Sequence, residues 1–285
     1  MEHLRWERRP SLRKPVVIAA FEGWNDAGEA SSIAVRYLCD RWNARPFARI
    51  EPEEFFDFTA VRPQVSLAEG EQQGITWPDT ELLAAVVPDT DVDVIFVLGT
   101  EPQLRWHTYC AQIVDVTTGY DVRMVITLGA LLAEVPHSRP VAMMGSASEP
   151  DLVHELDLQA SCYEGPTGIL AVLHDACMSA GLRAASLWAQ VPSYVPAAPS
   201  PKAALALVEQ TASLLGVGVV ATDLEIRSAS YERQVSELIE ADEDTNRYVE
   251  RLEERFDQEH GTSSRVDGDR LMKELERYLR DHPAD

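Results

Sequence analysis

The run Val16-Val17-Ile18-Ala19-Ala20 leads directly into Phe21-Glu22-Gly23-Trp24-Asn25-Asp26-Ala27-Gly28-Glu29-Ala30-Ser31-Ser32. Its opening residues are apolar without alternation, as expected for a strand buried on both faces of a parallel sheet. Ile33, Tyr37 and Leu38 then recur at helical spacing, with Ala30 and Ala34 alongside, so a helix is expected over Glu29–Trp42. Between strand and helix lies a loop holding two glycines, Trp24, Asn25 and the carboxylates of Glu22 and Asp26. It reads as a tight turn around a packed tryptophan or as a ligand-holding loop.

The same strand-then-helix alternation continues outward. Val92–Leu98, Arg123–Leu128, Pro140–Met144 and Ser186–Val191 read as further strands, and Leu104–Thr117, Thr167–Ala180 and Pro201–Leu215 as helices. This pattern implies an α/β fold with a mainly parallel sheet. Ser200-Pro201 puts a cap residue before a proline at the first helical position. Gly181 and Gly216 sit where C-terminal glycines end helices.

Residues 51–90 are acidic and hold Phe55, Phe56 and Phe58 but no clear helix; they read as an inserted hairpin plus connections. After Gly218, two amphipathic helices are expected over Leu224–Leu238 and Thr245–Phe256, parted by the acidic break Glu240–Asp244. A polar stretch, Gln258–Asp269, precedes a last amphipathic helix, Leu271–Leu279. The expected organisation is an α/β core over residues 14–222, a helical subdomain packed on it over 223–257, and a linker with a terminal helix over 258–285.

Of 285 residues, 25 are basic and 47 acidic, a net charge of −22. That argues against a nucleic-acid or anionic-membrane partner, since both need clustered Lys and Arg. No apolar run is long enough for a transmembrane helix. Met1–Lys14 lacks the apolar core of a signal peptide. Cys39, Cys110, Cys162 and Cys177 are widely spaced, as reduced thiols of a cytoplasmic protein would be.

Phosphate-loop, nucleophile-elbow and zinc-protease motifs are missing. His174 with Cys177, and His107 with Cys110, share helix faces, but each pair is short of a metal's ligand count and reads as core packing. No metal or cofactor is expected. The carboxylates at strand ends carry more: Glu22 and Asp26 after the first strand, Glu101 after Val97-Leu98-Gly99-Thr100, and Glu164 before Gly165-Pro166. In open α/β sheets ligands bind outside the carboxyl ends of the strands, so several of these groups could face one crevice. Capping of the helix that follows is an equal reading of Asp26.

Phe21-Glu22-Gly23-Trp24-Asn25-Asp26-Ala27-Gly28, Gly99-Thr100-Glu101-Pro102-Gln103-Leu104-Arg105-Trp106, Gly165-Pro166-Thr167-Gly168-Ile169 and Val191-Pro192-Ser193-Tyr194-Val195-Pro196, followed by Pro199-Ser200-Pro201-Lys202, together resemble the proteasome assembly chaperone family, nearest its actinobacterial members. The likeness covers about residues 14–256. It implies a three-layer α/β/α domain akin in fold to nucleoside phosphorylases, with a C-terminal helical extension. Eukaryotic and archaeal relatives bind proteasome α subunits and guide ring assembly; bacterial members are expected to be homo-oligomers, trimers in form. Some relatives end in a hydrophobic–tyrosine–any-residue tail, whereas this chain ends Asp281-His282-Pro283-Ala284-Asp285, so docking of that kind is not implied.

The first reading is therefore a non-enzymatic protein-binding or assembly factor, with a proteasome subunit or another protein as partner. The second is a small-molecule binder or nucleoside-cleaving-type enzyme, with a site of Glu22, Gly23, Trp24, Asn25, Asp26, Thr100, Glu101, Glu164, Gly165 and Tyr194. There Glu22 or Asp26 would polarise a hydroxyl or water, Trp24 would stack on a ring, and backbone N–H groups of Gly23–Gly28 would face an anion. A third is a purely structural homo-oligomer whose loop serves packing.

Overall fold

A computed structural model describes residues 2–68, 71–88, 90–148, 159–160 and 164–259. The chain opens with β1 (Leu4–Trp6) and β2 (Val16–Glu22), then a 3₁₀ turn (Ala27–Glu29) into α1 (Ala30–Arg41). β3 (Arg45–Ile50), β4 (Gln64–Ala68), β5 (Glu71–Thr76), β6 (Thr80–Val86) and β7 (Asp93–Thr100) follow. Next come α2 (Trp106–Gly119), β8 (Met124–Ala133), β9 (Met143–Ala147), β10 (Gln159–Ala160), α3 (Ile169–Ser179) and β11 (Ala184–Pro192). Three helices close the described chain: α4 (Pro201–Leu215), α5 (Thr222–Glu240) and α6 (243–259).

Nine strands form one sheet in the order β1-β3-β6-β7-β2-β8-β11-β9-β10, and β4 and β5 make a separate hairpin. The four central strands, β7, β2, β8 and β11, run parallel. β3 and β6 join antiparallel on one side, and β9 on the other. The expected α/β/α architecture with its C-terminal helices is thus present.

Side-chain alternation divides the central strand between two cores. Val16, Ile18 and Ala20 face one layer; Val17, Ala19 and Phe21 face the other. The first layer takes Ala34, Val35 and Leu38 of α1 and Ala204, Leu207 and Val208 of α4. The second takes Tyr109 and Ile113 of α2 and Leu170 and Leu173 of α3. Because both faces are covered, β2 reads as a continuous apolar run, and burying each large side chain contributes about 1.5–3 kcal/mol.

Three expectations need correction. The strand placed at Pro140–Met144 lies at Met143–Ala147, since the residues before it form a loop. Residues 51–90 hold the expected hairpin, β4–β5, but also β6, a strand of the main sheet. β1 and β3 had no counterpart in the sequence reading: in β3 a register shift between Pro46 and Ala48 leaves Phe47 and Ala48 both buried, so its six residues show no regular alternation. The second C-terminal helix continues through 259, into the stretch read as linker. The rest of that stretch, the terminal helix expected over Leu271–Leu279, and Cys162 lie outside the described residues.

α5 and α6 pack around Tyr231, Val235, Ile239 and Val249, against Tyr194, Val195 and Ala198. Asp242 starts α6: its carboxylate accepts from Asp244 N and from Thr245 Oγ1 at 2.6 Å.

Gly99 pairs with Thr80 where β7 meets β6, and a Cβ there would lie 2.2 Å from Asp79 O and 2.7 Å from Thr80 Cα. Both are backbone atoms, so neither can swing aside. Gly99→Ala should destabilise the fold by about 1–3 kcal/mol through overpacking, read as a lower denaturant midpoint.

Candidate functional site

β2 and β7 end side by side, with Glu22 opposite Thr100 in the parallel register. Glu101 N donates to Glu22 O at 2.9 Å, extending the ladder by one bond, and Thr100 N donates to Asp79 O at 3.2 Å. Gly23 then turns the chain at φ 123°, a left-handed conformation open to glycine at little cost. The loop folds back on itself through Asp26 N to Gly23 O at 3.1 Å, and Ala130 N donates to Asn25 O at 2.8 Å. The Glu22–Asp26 loop is therefore pinned by β7 on one side and β8 on the other.

Asp26 caps α1 from a distance. The residue before the helix, Glu29, has φ 51° and makes no side-chain cap. Asp26 Oδ1 instead accepts from Ser31 N at 2.7 Å, Ser32 N at 3.2 Å and Ser31 Oγ at 2.6 Å. Those are the second and third helical N–H groups, the ones an ordinary cap residue satisfies, and the positive end of the helix favours the carboxylate. Of the two readings of Asp26 left open by the sequence, capping describes its contacts.

Glu101 does the same at the second layer. Its Oε1 accepts from Ile169 N, the first residue of α3, at 2.9 Å and from Asn25 Nδ2 at 2.6 Å. Asn25 is only 1% exposed. Its amide lies so close to Gly168 that a Cβ on that glycine would come within 2.3 Å of Oδ1. Glycine at 168 is required by this contact. The place at the start of α3 that would hold an external anion is filled by the chain's own carboxylate.

Glu22 pairs with Arg36 of α1 at 2.5 Å, both partly exposed. Burial raises the Asp79 carboxyl above the ordinary carboxylate range, and Glu22 nearby adds to the shift while Arg49 opposes it. Trp24 is 64% exposed, so the loop is not folded around a buried tryptophan. Glu164 and Gly165 are exposed on the approach to α3.

Tyr194 belongs to another neighbourhood. Its hydroxyl accepts from His137 N at 2.7 Å and its ring meets Tyr248 of α6 edge-on at 6.2 Å. The structure thus brings Glu22, Gly23, Asn25, Asp26, Thr100 and Glu101 together, and engages Tyr194 with the C-terminal helices. Ser31, Ser32, Arg36, Gly168 and the Ile169 amide complete the cluster and were not singled out in the sequence. Ser31-Ser32 in the first helical turn was the one legible signal. Among the described residues no group of three or more His, Cys, Asp or Glu side chains is arranged to hold a metal ion.

Asp26→Ala would leave Ser31 and Ser32 without their buried acceptor and should cost about 3 kcal/mol. Gly168→Ala should displace Asn25 and break its bond to Glu101. Chemical denaturation reads both, and a change below about 0.5 kcal/mol in either would contradict this account of the loop.

Residues 20–239 match the PAC2 family. A proteasome-assembly chaperone homologue from Mycobacterium tuberculosis is 40% identical, covers 82% of this chain and 99% of its own, and superposes with a TM-score of 0.77. A PAC2 family protein from Streptomyces avermitilis is 42% identical over 82% of this chain and 99% of its own, with a TM-score of 0.76. An archaeal proteasome activator from Pyrococcus furiosus, 18% identical, covers 82% of this chain and 97% of its own with a TM-score of 0.67, and shares the fold. No curated protein matches. With a family match over most of its length and two actinobacterial structures at 40% identity or more, this chain belongs to the PAC2 family.

Proposed function

We propose that this chain is a non-enzymatic protein-binding factor of the proteasome-assembly type, acting in the cytoplasm as a homo-oligomer, a trimer in form. A proteasome subunit is the first partner to test. Family membership supports the class. The observation that carries the reading is the internal use of the strand-end carboxylates: one oxygen of Asp26 serves three donors of α1, and one oxygen of Glu101 serves Asn25 and the start of α3. Groups committed to holding helices are poorly placed to polarise a substrate.

What the strand ends do offer is an exposed aromatic. Trp24 stands out beside the Glu22–Arg36 pair, and large aromatics are the commonest anchors of protein interfaces. No helix among the described residues is long and apolar enough to cross a membrane.

A small-molecule site remains the second reading, favoured by one observation: Asn25 Oδ1 is buried without a hydrogen-bond partner. Such an orphan is costly and invites an explanation. A ligand bound there would raise the melting temperature by linkage, so a flat response to saturating nucleosides, phosphate and divalent cations would remove this reading.

The deciding experiment is affinity purification of tagged protein from its native host at low salt, followed by mass spectrometry and the mass of the eluted complex. A stoichiometric proteasome subunit is the expected result. A homo-oligomer alone would shift the weight to the small-molecule reading. Trp24→Ala should weaken capture of the partner by about 2 kcal/mol, near thirtyfold in Kd, while leaving stability within about 0.5 kcal/mol. Unchanged capture would take Trp24 out of the interface.

A further inference from the structure

His137 lies outside the strand-end cluster, in the loop after β8, and is 5% exposed. It sits where the core meets α5 and α6, and each of its polar atoms is engaged. The backbone N–H donates to Tyr194 Oη at 2.7 Å, ring Nδ1 lies 3.0 Å from the same hydroxyl, and ring Nε2 lies 2.9 Å from Ser236 Oγ on α5. Ser236 donates its proton to Glu232 O at 2.9 Å. The backbone carbonyl accepts from Lys202 Nζ of α4 at 2.6 Å.

These partners dictate the ring's protonation. Ser236 spends its hydrogen on Glu232 O, so its oxygen must accept, and Nε2 carries the proton. Tyr194 Oη accepts the backbone N–H, so its own hydrogen is free to donate to Nδ1, which is bare. One directed chain results, from Tyr194 through the neutral ring to Ser236 and the α5 backbone, and every group in it is satisfied. A second ring proton has no place. It would put two hydrogens between Nδ1 and Tyr194 Oη and strip the tyrosine of its acceptor.

The surrounding charges do not open a place for it. Lys202, paired with Glu232 of α5, stands against the ring with the same sign that imidazolium would have. Glu253 of α6 favours the charged ring, but it is already shared by Ser138 Oγ and Arg139. Arg139 in turn binds Asp257 through two bonds of 2.8 Å. Burial holds the Tyr231 phenol above its ordinary value, so it stays neutral across the physiological range. Further along the α4–α5 contact, Glu209 faces Glu225, and burial with that like charge raises the Glu209 carboxyl. Its response to acid has the opposite sign. The cavity beside His137 measures about 10 Å³, room for one water.

We propose that His137 is a pH-sensitive latch: protonation of its ring below neutral pH releases α5 and α6 from the core. The direction follows from the site. Burial foremost, and Lys202 second, hold the imidazole below its ordinary value. A depressed histidine contributes its full stabilisation above the unfolded value of about 6.5 and loses it as pH falls from there toward the folded value. Each unit of depression is a factor of about ten in the opening equilibrium of the helical pair. The latch goes beyond the proposed function and holds whichever partner the protein binds.

Hydrogen exchange of the full chain at about pH 7.5 and about pH 5.5, corrected for intrinsic rates, tests it. In the wild type, protection of residues 222–259 should fall severalfold relative to β2 and β8, with about tenfold as the ceiling that one histidine sets at this pH. In His137→Gln, which cannot titrate, the helical pair should show no such pH response, with Glu209 left to act alone. An equal response in both proteins, or none in the wild type, overturns the latch. Should the variant not fold, ring nitrogen shifts of wild-type His137 decide: bare Nδ1 and a depressed titration are expected, and protonated Nδ1 or an ordinary titration overturns it.

Discussion

Two carboxylates at one edge of the sheet each grip the opening turn of a helix, and the two helices lie in opposite layers. Asp26 holds α1 on one face and Glu101 holds α3 on the other. The main-chain bond from Glu101 to Glu22 joins the residues that follow β2 and β7. Layer position is therefore coupled to strand register at that edge: neither strand can slip without pulling a helix cap. Charge-assisted bonds from backbone N–H groups are among the stronger polar contacts available; those of Asp26 are buried and that of Glu101 is partly buried. Two joined loops, one after β2 and one after β7, thus supply from a distance what local caps usually supply.

The α/β class was legible because β2, β7, β8 and β11 are buried on both faces and carry apolar runs that local composition exposes. α4 was legible to the residue because Ser200, Pro201 and Gly216 punctuate it; the Ser200 hydroxyl does accept from Ala203 N. β1 was missed because it is an edge strand of three residues, and β3 and β6 because exposed residues interrupt their buried ones, so neither shows a continuous apolar run. At the strand ends, composition marked the carboxylates but not their partners. Backbone N–H groups of Ser31, Ser32 and Ile169 leave no signature in residue types, and the fit of Asn25 onto Gly168 needs the third dimension. Tyr194 was misjudged for a related reason. It follows a central strand, yet the chain turns there and hands the side chain to α5 and α6.

The C-terminal pair is attached differently from the rest. α1 to α4 seal the two faces of the sheet with apolar side chains. α5 docks Leu224 into the first core, α5 and α6 bury a further small cluster around Tyr231 and Val249, and polar contacts add to these: Tyr37 to Asp223, Arg139 to Asp257, and the His137 chain. Polar attachment is directional and responds to pH and ionic strength, where apolar attachment is non-directional. The division suits a body that stays intact while one appendage can be loosened.

The ends of the main sheet carry a last consequence. β1, at one margin, has three residues, so it offers little unpaired backbone to a neighbouring molecule. A second copy would find only a short template for edge-to-edge pairing there. The β4–β5 hairpin is the exception: it stands apart from the main sheet, with Val65 and Ile75 paired and exposed. Among the described residues, this hairpin is where strand backbone outside the main sheet and exposed apolar side chains coincide.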